Sequence, residues 1–369
     1  MRVYLDHNAT TPLRAEARAA MVAAMDMVGN PSSVHAEGRK AKLLVEKARV
    51  QVATLAGCVP QEIVFTSGAT EAASTVLGPA RAAMYAETAH DCILKAVPDH
   101  PESFSMGDMP EGRVATGPGY MVTFDHQSEN VFCWSSANSE TGILETDDML
   151  PRQVEHAVIL EDSVQIYGKL AHSPDVFGAT YQLISAHKLG GPKGVGALYV
   201  RGGIDVQAMI KGGGQEMGRR SGTENVIGIA GFGAAAEAAA RDVAAGRWEE
   251  VKENRDLMES ALEDASNATI FVGKDAPRLP NTSCILTPGW KGETQVMQMD
   301  LAGFAVSAGS ACSSGKVKAS TVLRAMGFND TEAASAIRVS LGLNTTKEEV
   351  MQFAEAWAAK LKKHQARAA

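Results

Sequence analysis

Short runs of apolar residues alternate with longer stretches of helical character along much of the chain. The runs at residues 63–65, 158–160 and 182–184 are apolar at nearly every position. Strands with this composition are typical of a parallel sheet that helices cover on both faces. The alternation therefore predicts an α/β fold with a largely parallel central sheet. The other predicted strands of this sheet are residues 120–123, 131–134 and 196–200.

The pattern changes in the second half of the chain. Residues 234–245 are rich in alanine, and residues 248–265 are charged with helical periodicity. We interpret both stretches as long helices that lead from a large domain into a smaller α+β domain. A threonine followed three residues later by a glutamate, the signature of a capping box, opens the last predicted helix. The other elements predicted here are strands at residues 284–286, 304–306 and 337–340, helices at residues 294–301 and 320–326, and an N-terminal strand at residues 2–5.

The composition is that of an ordinary globular protein. The chain has 369 residues, of which 45% are hydrophobic and 21% charged, enough for two packed domains. The formal net charge of -8 leaves no basic excess to neutralise phosphates, so we expect no nucleic-acid partner. No apolar run approaches the roughly 20 residues that span a bilayer, so we expect no membrane segment. The N-terminus leads almost directly into a predicted strand, and no targeting segment is recognisable there.

The cysteines follow neither a disulfide pattern nor a metal-binding pattern. Their number is odd and none are spaced as Cys-x-x-Cys, which excludes a complete intrachain disulfide framework and argues against a local zinc site. We therefore expect a reducing, cytoplasmic setting, no bound metal, and at least one thiol available for chemistry. The five residues are Cys58, Cys92, Cys133, Cys284 and Cys312.

Polar segments directly follow several predicted strands, at the sheet edge where ligands bind in open α/β folds. One such segment, residues 66–71, breaks at Gly68 and opens a helix. Its backbone N–H groups and the Thr70 hydroxyl suit a phosphate, although an ordinary helix cap is the alternative. Asp162 follows another strand, where an acid caps a helix, binds a metal or holds a protonated ring nitrogen.

Lys188 also follows a strand, where desolvation would favour the neutral, nucleophilic amine. A surface lysine is the alternative interpretation. His90, beside a short predicted strand, is either a structural residue or a ligand partner. Each of these residues alone leaves its role open.

Together the segments resemble the cysteine desulfurases, which belong to the class-V aminotransferase group of fold-type-I pyridoxal phosphate (PLP) enzymes. The strongest similarity is Ser-Ala-His-Lys at residues 185–188, with Asp-Ser-Val-Gln at 162–165 and Thr-Ser-Gly-Ala-Thr-Glu at 66–71. The resemblance extends over essentially the whole chain, with its motifs in the same order. The further matching segments are residues 4–12, 29–35, 212–216, 220–225, 279–283, 309–315 and 337–342.

The resemblance implies the division of the chain into domains. Residues 1–15 would pack with the small domain. Residues 16–250 would form the large PLP-binding domain, with the mostly parallel sheet. Residues 251–369 would form the small α+β C-terminal domain that carries the catalytic cysteine loop.

The resemblance also implies the cofactor contacts. Lys188 corresponds to the catalytic lysine that holds PLP as a Schiff base, and Asp162 to the acid that keeps the pyridine nitrogen protonated. Gln165 corresponds to the donor to the phenolic oxygen, and His90 to the catalytic imidazole that stacks on the ring. Thr223 corresponds to a phosphate ligand delivered from a second subunit, which implies a homodimer. The remaining implied phosphate contacts are Ala69, Thr70, Ser185 and His187.

Cys312 and Arg338 carry the implied reaction. Arg338 corresponds to the residue that pairs with the carboxylate of the substrate L-cysteine, where a guanidinium gives bidentate geometry. Cys312 lies among small residues, and the neighbouring glycines permit a mobile loop. Its thiolate would attack the sulfur of a cysteine–PLP adduct, which leaves a persulfide on Cys312 and, after protonation, releases L-alanine.

The expected function is therefore that of a cysteine desulfurase. The persulfide would pass to an acceptor or scaffold protein for the assembly of iron–sulfur clusters or other sulfur-containing cofactors. The alternatives are a selenocysteine lyase or an aminotransferase of the same fold, or a non-catalytic regulatory homologue.

Three features depart from the family pattern: Ser139, Glu161, and the segment Ala72-Ala73-Ser74, where members usually carry an asparagine-containing sequence. Ser139 replaces the second asparagine of the usual Asn-Asn-Glu segment. Because serine is shorter, we expect weaker substrate positioning or altered specificity, with PLP binding retained. Glu161, directly before Asp162, is also unusual, and a second carboxylate there is expected to perturb the local charge.

Overall fold

The computed structural model describes residues 2–80, 82–97, 104–105, 130–145, 158–309 and 319–368. The chain divides into two compact units. The sheet unit consists of Thr11–Ser136 and Glu145–Ala245, and the C-terminal unit of Met1–Thr10, Ala137–Leu144 and Gly246–Ala369. The sequence pattern did not predict that Ala137–Leu144 belongs to the C-terminal unit.

The described residues form alternating strands and helices. None of the described helices is long and apolar enough to cross a membrane. The strands are β1 (Val3–Tyr4), β2 (Ile63–Thr66), β3 (Ala82–Tyr85), β4 (Phe104–Ser105), β5 (Asn130–Ser135), β6 (Val158–Asp162), β7 (Tyr181–Ser185), β8 (Gly196–Val200), β9 (Ile270–Phe271), β10 (Thr282–Leu286), β11 (Phe304–Ala305), β12 (Ser307–Ala308) and β13 (Ala336–Ser340). The α-helices are α1 (Ala15–Met25), α2 (Ala36–Ala56), α3 (Ala69–Leu77), α4 (Asp91–Leu94), α5 (Val226–Ala244), α6 (Trp248–Ala265), α7 (Gly292–Leu301), α8 (Thr321–Ala325), α9 (Asp330–Ala333) and α10 (Lys347–Ala368), and short 3₁₀ helices cover Pro60–Glu62, Ala186–Lys188 and Gln215–Gly218.

The strands of the sheet unit form one seven-stranded mixed sheet in the order β2-β8-β7-β6-β5-β3-β4. Strands β7, β6, β5, β3 and β4 run parallel to their neighbours in this series. Strand β8 is antiparallel to both β7 and β2. The predicted α/β fold with a mostly parallel sheet is confirmed. The strand predicted at residues 120–123 lies outside the described residues.

Helices bury both faces of this sheet because successive residues of a strand point to opposite sides. On β8, Ala197 and Tyr199 pack in an apolar cluster with α1, α2 and α5. Leu198 and Val200 pack in a second cluster with α3 and α4. The uniformly apolar strands seen in the sequence are therefore the strands that these two helical layers enclose.

The C-terminal unit is built on a four-stranded antiparallel sheet in the order β12-β13-β10-β9. Strand β1 pairs in parallel with β11, so the N-terminal strand joins this unit, with Val3 opposite Phe304. An apolar cluster packs one face of the sheet against α6, α7 and α10. The predicted capping box opens α10: Glu349 N donates to Thr346 Oγ1 over 3.2 Å, and Thr346 N donates to the Glu349 carboxylate over 3.0 Å.

Gly196 marks a close approach of backbones at one end of β8. Thr66 and Ser185, the last residues of β2 and β7, both lie opposite it. A Cβ atom on Gly196 would lie 2.6 Å from the carbonyl oxygen of Ile184 and 2.7 Å from the Cα atom of Gly68. The turn after β2 can therefore approach β8 only because this position lacks a side chain.

Gly196→Ala is expected to lower the free energy of unfolding by about 1–3 kcal/mol, because the added methyl group collides with fixed backbone atoms. Gly214→Ala is the matched control, since Gly214 has a φ of -87° and a Cβ there meets no atom within 4 Å. Urea unfolding of both variants measures the difference. Equal stability of the two variants would contradict the close-approach explanation.

Candidate active site

The carboxyl ends of β6 and β7 place the predicted acid and the predicted lysine at the same edge of the sheet. Asp162 is the last residue of β6, and the parallel neighbour β7 leads directly into the 3₁₀ helix that ends at Lys188. Thr11 fixes this turn from outside the sheet. Its backbone N–H donates to the carbonyl oxygen of His187 over 2.9 Å, and its hydroxyl donates to that of Lys188 over 3.0 Å.

The Asp162 carboxyl group is buried, with the residue 9% exposed. Its Oδ1 atom accepts a hydrogen bond from Val164 N over 3.1 Å. Burial raises the pKa of Asp162, while His90, the Val164 N–H and Lys188 act in the opposite direction. His90 and Lys188 are therefore close enough to Asp162 to act on its charge. A buried carboxylate of this kind is stable when it meets a cationic or proton-donating partner.

Local hydrogen bonds orient two of the predicted cofactor contacts. His90 precedes α4, and its Nδ1 atom accepts from Cys92 N over 3.1 Å, so the neutral ring carries its proton on Nε2. The Gln165 side-chain oxygen accepts from Lys169 Nζ over 2.9 Å, and both residues are buried. This contact makes Nε2 the donor end of the Gln165 carboxamide, as a phenolic oxygen requires.

The start of α3 has the geometry of an anion site. The helix begins at Ala69 and Thr70 after Gly68, and no side chain caps its first turn. Backbone N–H groups at an uncapped helix start suit a phosphate.

Ser185 and His187 lie at the same sheet edge as this helix start. Ser185 ends β7 opposite Gly196, which also pairs with the last residue of β2. Burial, with the neighbouring Lys188 and Lys193, lowers the pKa of His187 to about 4. At neutral pH the imidazole is therefore uncharged, and its contribution to a phosphate site is a hydrogen bond.

An ion pair with Arg220 neutralises Glu71, the acid in the first turn of α3. Arg220 Nε lies 3.0 Å from Glu71 Oε1, and Ser67 N donates to Glu71 Oε2 over 2.8 Å. Burial opposes ionisation of this group, but the hydrogen bonds from Arg220 and Ser67 lower the pKa of Glu71 below its ordinary value. Arg220 thus offsets a negative charge in the first turn of α3 that would otherwise repel a phosphate bound at that helix start.

The segment that leads to Arg220 has a strained backbone held by a second ion pair. Glu216 and Met217 have φ values of 49° and 59°, a left-handed conformation that is unusual for residues other than glycine. Arg49 donates through Nη1 and Nη2 to the Glu216 carboxylate over 2.7 and 2.8 Å, with both side chains buried. Phe65 N donates to the same carboxylate over 2.8 Å, which fixes the segment to β2. Thr223, farther along, is exposed.

Arg338 lies in the C-terminal unit, on β13. Its Nη2 atom donates to Asp6 Oδ1 over 2.8 Å and its Nη1 atom to the carbonyl oxygen of Ser139 over 3.0 Å. The side chain is 8% exposed, and its Nε atom has no hydrogen-bond partner among the described residues. Ser307 Oγ donates a hydrogen bond to the other carboxylate oxygen of Asp6, Oδ2, over 2.8 Å. The guanidinium is therefore fixed in orientation while part of its donor capacity remains for a ligand carboxylate.

Cys312, the predicted nucleophile, lies outside the described residues. Burial raises the thiol pKa of every cysteine that the structure describes, and it raises the pKa of Cys58 to about 12. None of these is poised as a thiolate at neutral pH. They are Cys58, Cys92, Cys133 and Cys284.

Sequence reasoning missed several residues that support the site. Lys169 follows Gln165 by four residues after a strand, and that spacing was available as a signal. The sequence held no signal for the pairing of Arg220 with Glu71, because 149 positions separate the two residues along the chain. The contact between Thr11 and Lys188 was equally unpredictable, because 177 positions separate them.

Comparisons with known proteins identify the family of this chain. The Aminotransferase class-V family model matches residues 3–104 and 124–353. A cysteine desulfurase of Enterobacter agglomerans is 38% identical over 371 residues, which cover 94% of this chain and 90% of that protein. One from Cereibacter sphaeroides is 38% identical over 374 residues, with 96% and 94% covered. The chain belongs to the cysteine desulfurase family of class-V aminotransferases.

The solved structure of a NifS-like protein from Rickettsia africae superimposes with a TM-score of 0.83 and 28% identity, covering 98% of this chain and all (100%) of that one. The chain therefore has the fold of fold-type-I enzymes, and the cofactor of its family is PLP. The residues of the sheet unit fit this cofactor. Asp162 is a buried acid suited to a ring nitrogen, Lys188 an amine at the same edge, and the uncapped start of α3 an anion site.

Arg220→Gln is expected to weaken PLP binding about tenfold, because Glu71 is then left uncompensated beside the phosphate-binding helix start. Titration of the apoprotein with PLP, followed by absorbance, measures the change. The double variant Glu71→Gln/Arg220→Gln removes both charges and should recover most of the affinity. If the double variant binds as weakly as the single one, Arg220 does not act by neutralising Glu71.

Proposed function

We propose that this protein is a PLP-dependent cysteine desulfurase that converts L-cysteine to L-alanine and collects the sulfur as a persulfide on Cys312. The observation that carries the proposal is the convergence of Asp162, His90 and Lys188 at one edge of the sheet. An acid, an imidazole and an amine in such proximity serve PLP chemistry better than structural roles. Membership of the cysteine desulfurase family supports the same assignment.

Bound PLP supplies an electron sink that stabilises negative charge at the substrate α-carbon. Asp162 holds the ring nitrogen in its protonated form, and Gln165 donates from Nε2 to the phenolic oxygen. Lys188 attaches the cofactor and moves the proton at the α-carbon. His90, with its proton on Nε2, is placed to donate that proton. Arg338 binds the substrate carboxylate.

The sulfur is transferred by nucleophilic attack. The Cys312 thiolate forms a bond to the substrate sulfur while the bond between that sulfur and the β-carbon breaks. The electron pair of the broken bond passes to the substrate carbon, where protonation completes L-alanine. Cys312 keeps the sulfur as a persulfide, so no external oxidant is needed for the step.

The active form would be a homodimer in which Thr223 of each chain completes the phosphate site of the other. Thr223 is exposed, and Met217 is 53% exposed. This exposure supports the proposal that the segment contacts a second copy of the chain. The persulfide would pass to an acceptor or scaffold protein for iron–sulfur cluster or other sulfur-containing cofactor assembly. Transfer of a persulfide to an acceptor protein requires a free thiol on that acceptor, which a reducing setting such as the cytoplasm preserves.

The function is tested by incubating the purified protein with PLP and L-cysteine and measuring alanine and, with a reductant, sulfide. Cys312→Ser should lose sulfide release while it keeps the yellow absorbance of bound PLP. Mass spectrometry should find one added sulfur atom on Cys312 after cysteine treatment. Cys58→Ser is the matched control and should release sulfide at the wild-type rate.

Sulfide release by Cys312→Ser at the wild-type rate would contradict the persulfide mechanism. Turnover of selenocysteine but not cysteine, or transfer of the amino group to a keto acid, would instead identify one of the related PLP reactions. A yellow protein without turnover of any of these substrates would identify a non-catalytic homologue.

Ser139→Asn is expected to lower KM for L-cysteine about threefold to tenfold, equivalent to one added hydrogen bond, with little change in kcat. The family resemblance places an asparagine amide against the substrate at this position, whereas the main-chain oxygen that Arg338 uses is unaltered. Ser139→Ala keeps that oxygen too and should behave as the wild type. Steady-state kinetics compares the variants. An unchanged KM in Ser139→Asn would show that serine at this position positions the substrate as well as asparagine does.

A further inference from the structure

Glu161 is a fully buried carboxylate beside the predicted ring-nitrogen acid. It precedes Asp162 on β6 and is 0% exposed. Gln182 Nε2 donates to its Oε2 atom over 2.6 Å, and His172 Nε2 lies 2.7 Å from its Oε1 atom. Ser136 Oγ donates to Oε1 as well. Each carboxylate oxygen of this buried acid is thus hydrogen-bonded, as a buried charge requires.

These partners connect Glu161 to both strands that flank β6. Gln182 lies directly opposite Glu161 on β7. Ser136 follows β5, and its backbone N–H donates to the carbonyl oxygen of Asp162 over 3.1 Å. Tyr167 extends the network by donating to Gln182 Oε1 over 2.5 Å. The end of β6 is therefore tied on both sides through one side chain.

The network lies on the face of β6 opposite to Asp162. Leu160 packs in the apolar cluster of α3 and α4, and residues of a strand alternate between faces, so Asp162 shares that side and Glu161 does not. Tyr167 belongs to the cluster of α1, α2 and α5 on the other side. Glu161 therefore acts on Asp162 through the backbone and through its charge, without side-chain contact.

A buried ionic network is a poor source of stability, because desolvation of the charges offsets their attraction and apolar residues fill such positions at lower cost. Its best supported use is to fix one arrangement where several would otherwise be allowed. The strand end that this network fixes carries Asp162.

We propose that Glu161 is a positioning residue that holds the end of β6 so that Asp162 meets the cofactor ring nitrogen. The inference rests on the proposed function as a PLP enzyme. A second effect of Glu161 has the opposite sign. After the larger contribution of burial, the Glu161 charge also raises the pKa of Asp162. Removal of the charge alone would therefore favour the ionised form of Asp162 and strengthen its pairing with a protonated ring, whereas loss of positioning weakens it.

The test compares Glu161→Gln with the exchange variant Glu161→Gln/Gln182→Glu, each titrated as apoprotein with PLP. The single variant places two amide groups against each other and should bind PLP about tenfold more weakly, with a shifted visible absorption band. The exchange returns one carboxylate and one carboxamide to the opposed pair. It should recover most of the affinity and the wild-type band.

Glu259→Gln is the control for general damage to a buried network. Glu259 is buried in the C-terminal unit, where it pairs with Arg278 over 2.8 Å and accepts from Ser283 over 2.6 Å. This variant should lower the unfolding temperature but leave PLP affinity and absorbance as in the wild type.

Wild-type affinity and absorbance in folded Glu161→Gln would overturn the inference, as would an exchange variant that binds no better than the single one. If Glu161→Gln does not fold, Ser136→Ala takes its place, because it removes one donor and leaves Gln182 and His172 in the network. Unchanged PLP binding by Ser136→Ala would overturn the inference equally. Failure of the wild-type protein to bind PLP would contradict the proposed function instead.

Discussion

Burial of the Asp162 carboxylate is the constraint on which the candidate site depends. In an apolar interior this group is costly in its ionised form, and its pKa is raised accordingly. The surrounding fold supplies groups that stabilise the negative charge of Asp162. Parallel strands bring Lys188 to the same edge, and His90 acts on Asp162 from the start of α4. A ring cation bound there would complete the compensation.

The functional side chains are oriented by neighbours before any ligand arrives. Lys169 fixes the carboxamide of Gln165, a backbone N–H fixes the tautomer of His90, and Asp6 holds Arg338. In Gln165 and His90 the contact occupies the part of the side chain that the ligand would not use. Ordering of these groups is thus achieved during folding, which lowers the entropy that binding must overcome.

The sequence predicted the strands well because both faces of the sheet are buried, and the apolar run at Gly196–Val200 matches its strand at both ends. It also located Asp162 and Lys188 at strand ends, and family resemblance supplied their roles. It could not predict the partners of Glu161, because Ser136, His172 and Gln182 meet only when β5, β6 and β7 pair in register. Helix α2 was missed although residues such as Val45 and Val52 recur at helical spacing on its buried side.

The left-handed backbone at Glu216 and Met217 has a consequence for how the protein can change. Such conformations cost of order 1–3 kcal/mol each and persist only where other contacts enforce them. Here the enforcing contact is the buried pair of Arg49 and Glu216, which come from distant parts of the chain. Replacement of Glu216 would remove both this pair and the hydrogen bond from Phe65 N, whereas replacement of Arg49 would leave the Phe65 contact, so the strained turn depends more on Glu216 than on Arg49. A glycine at Met217 would make the turn easier to form, but it would also make the segment less dependent on Arg49.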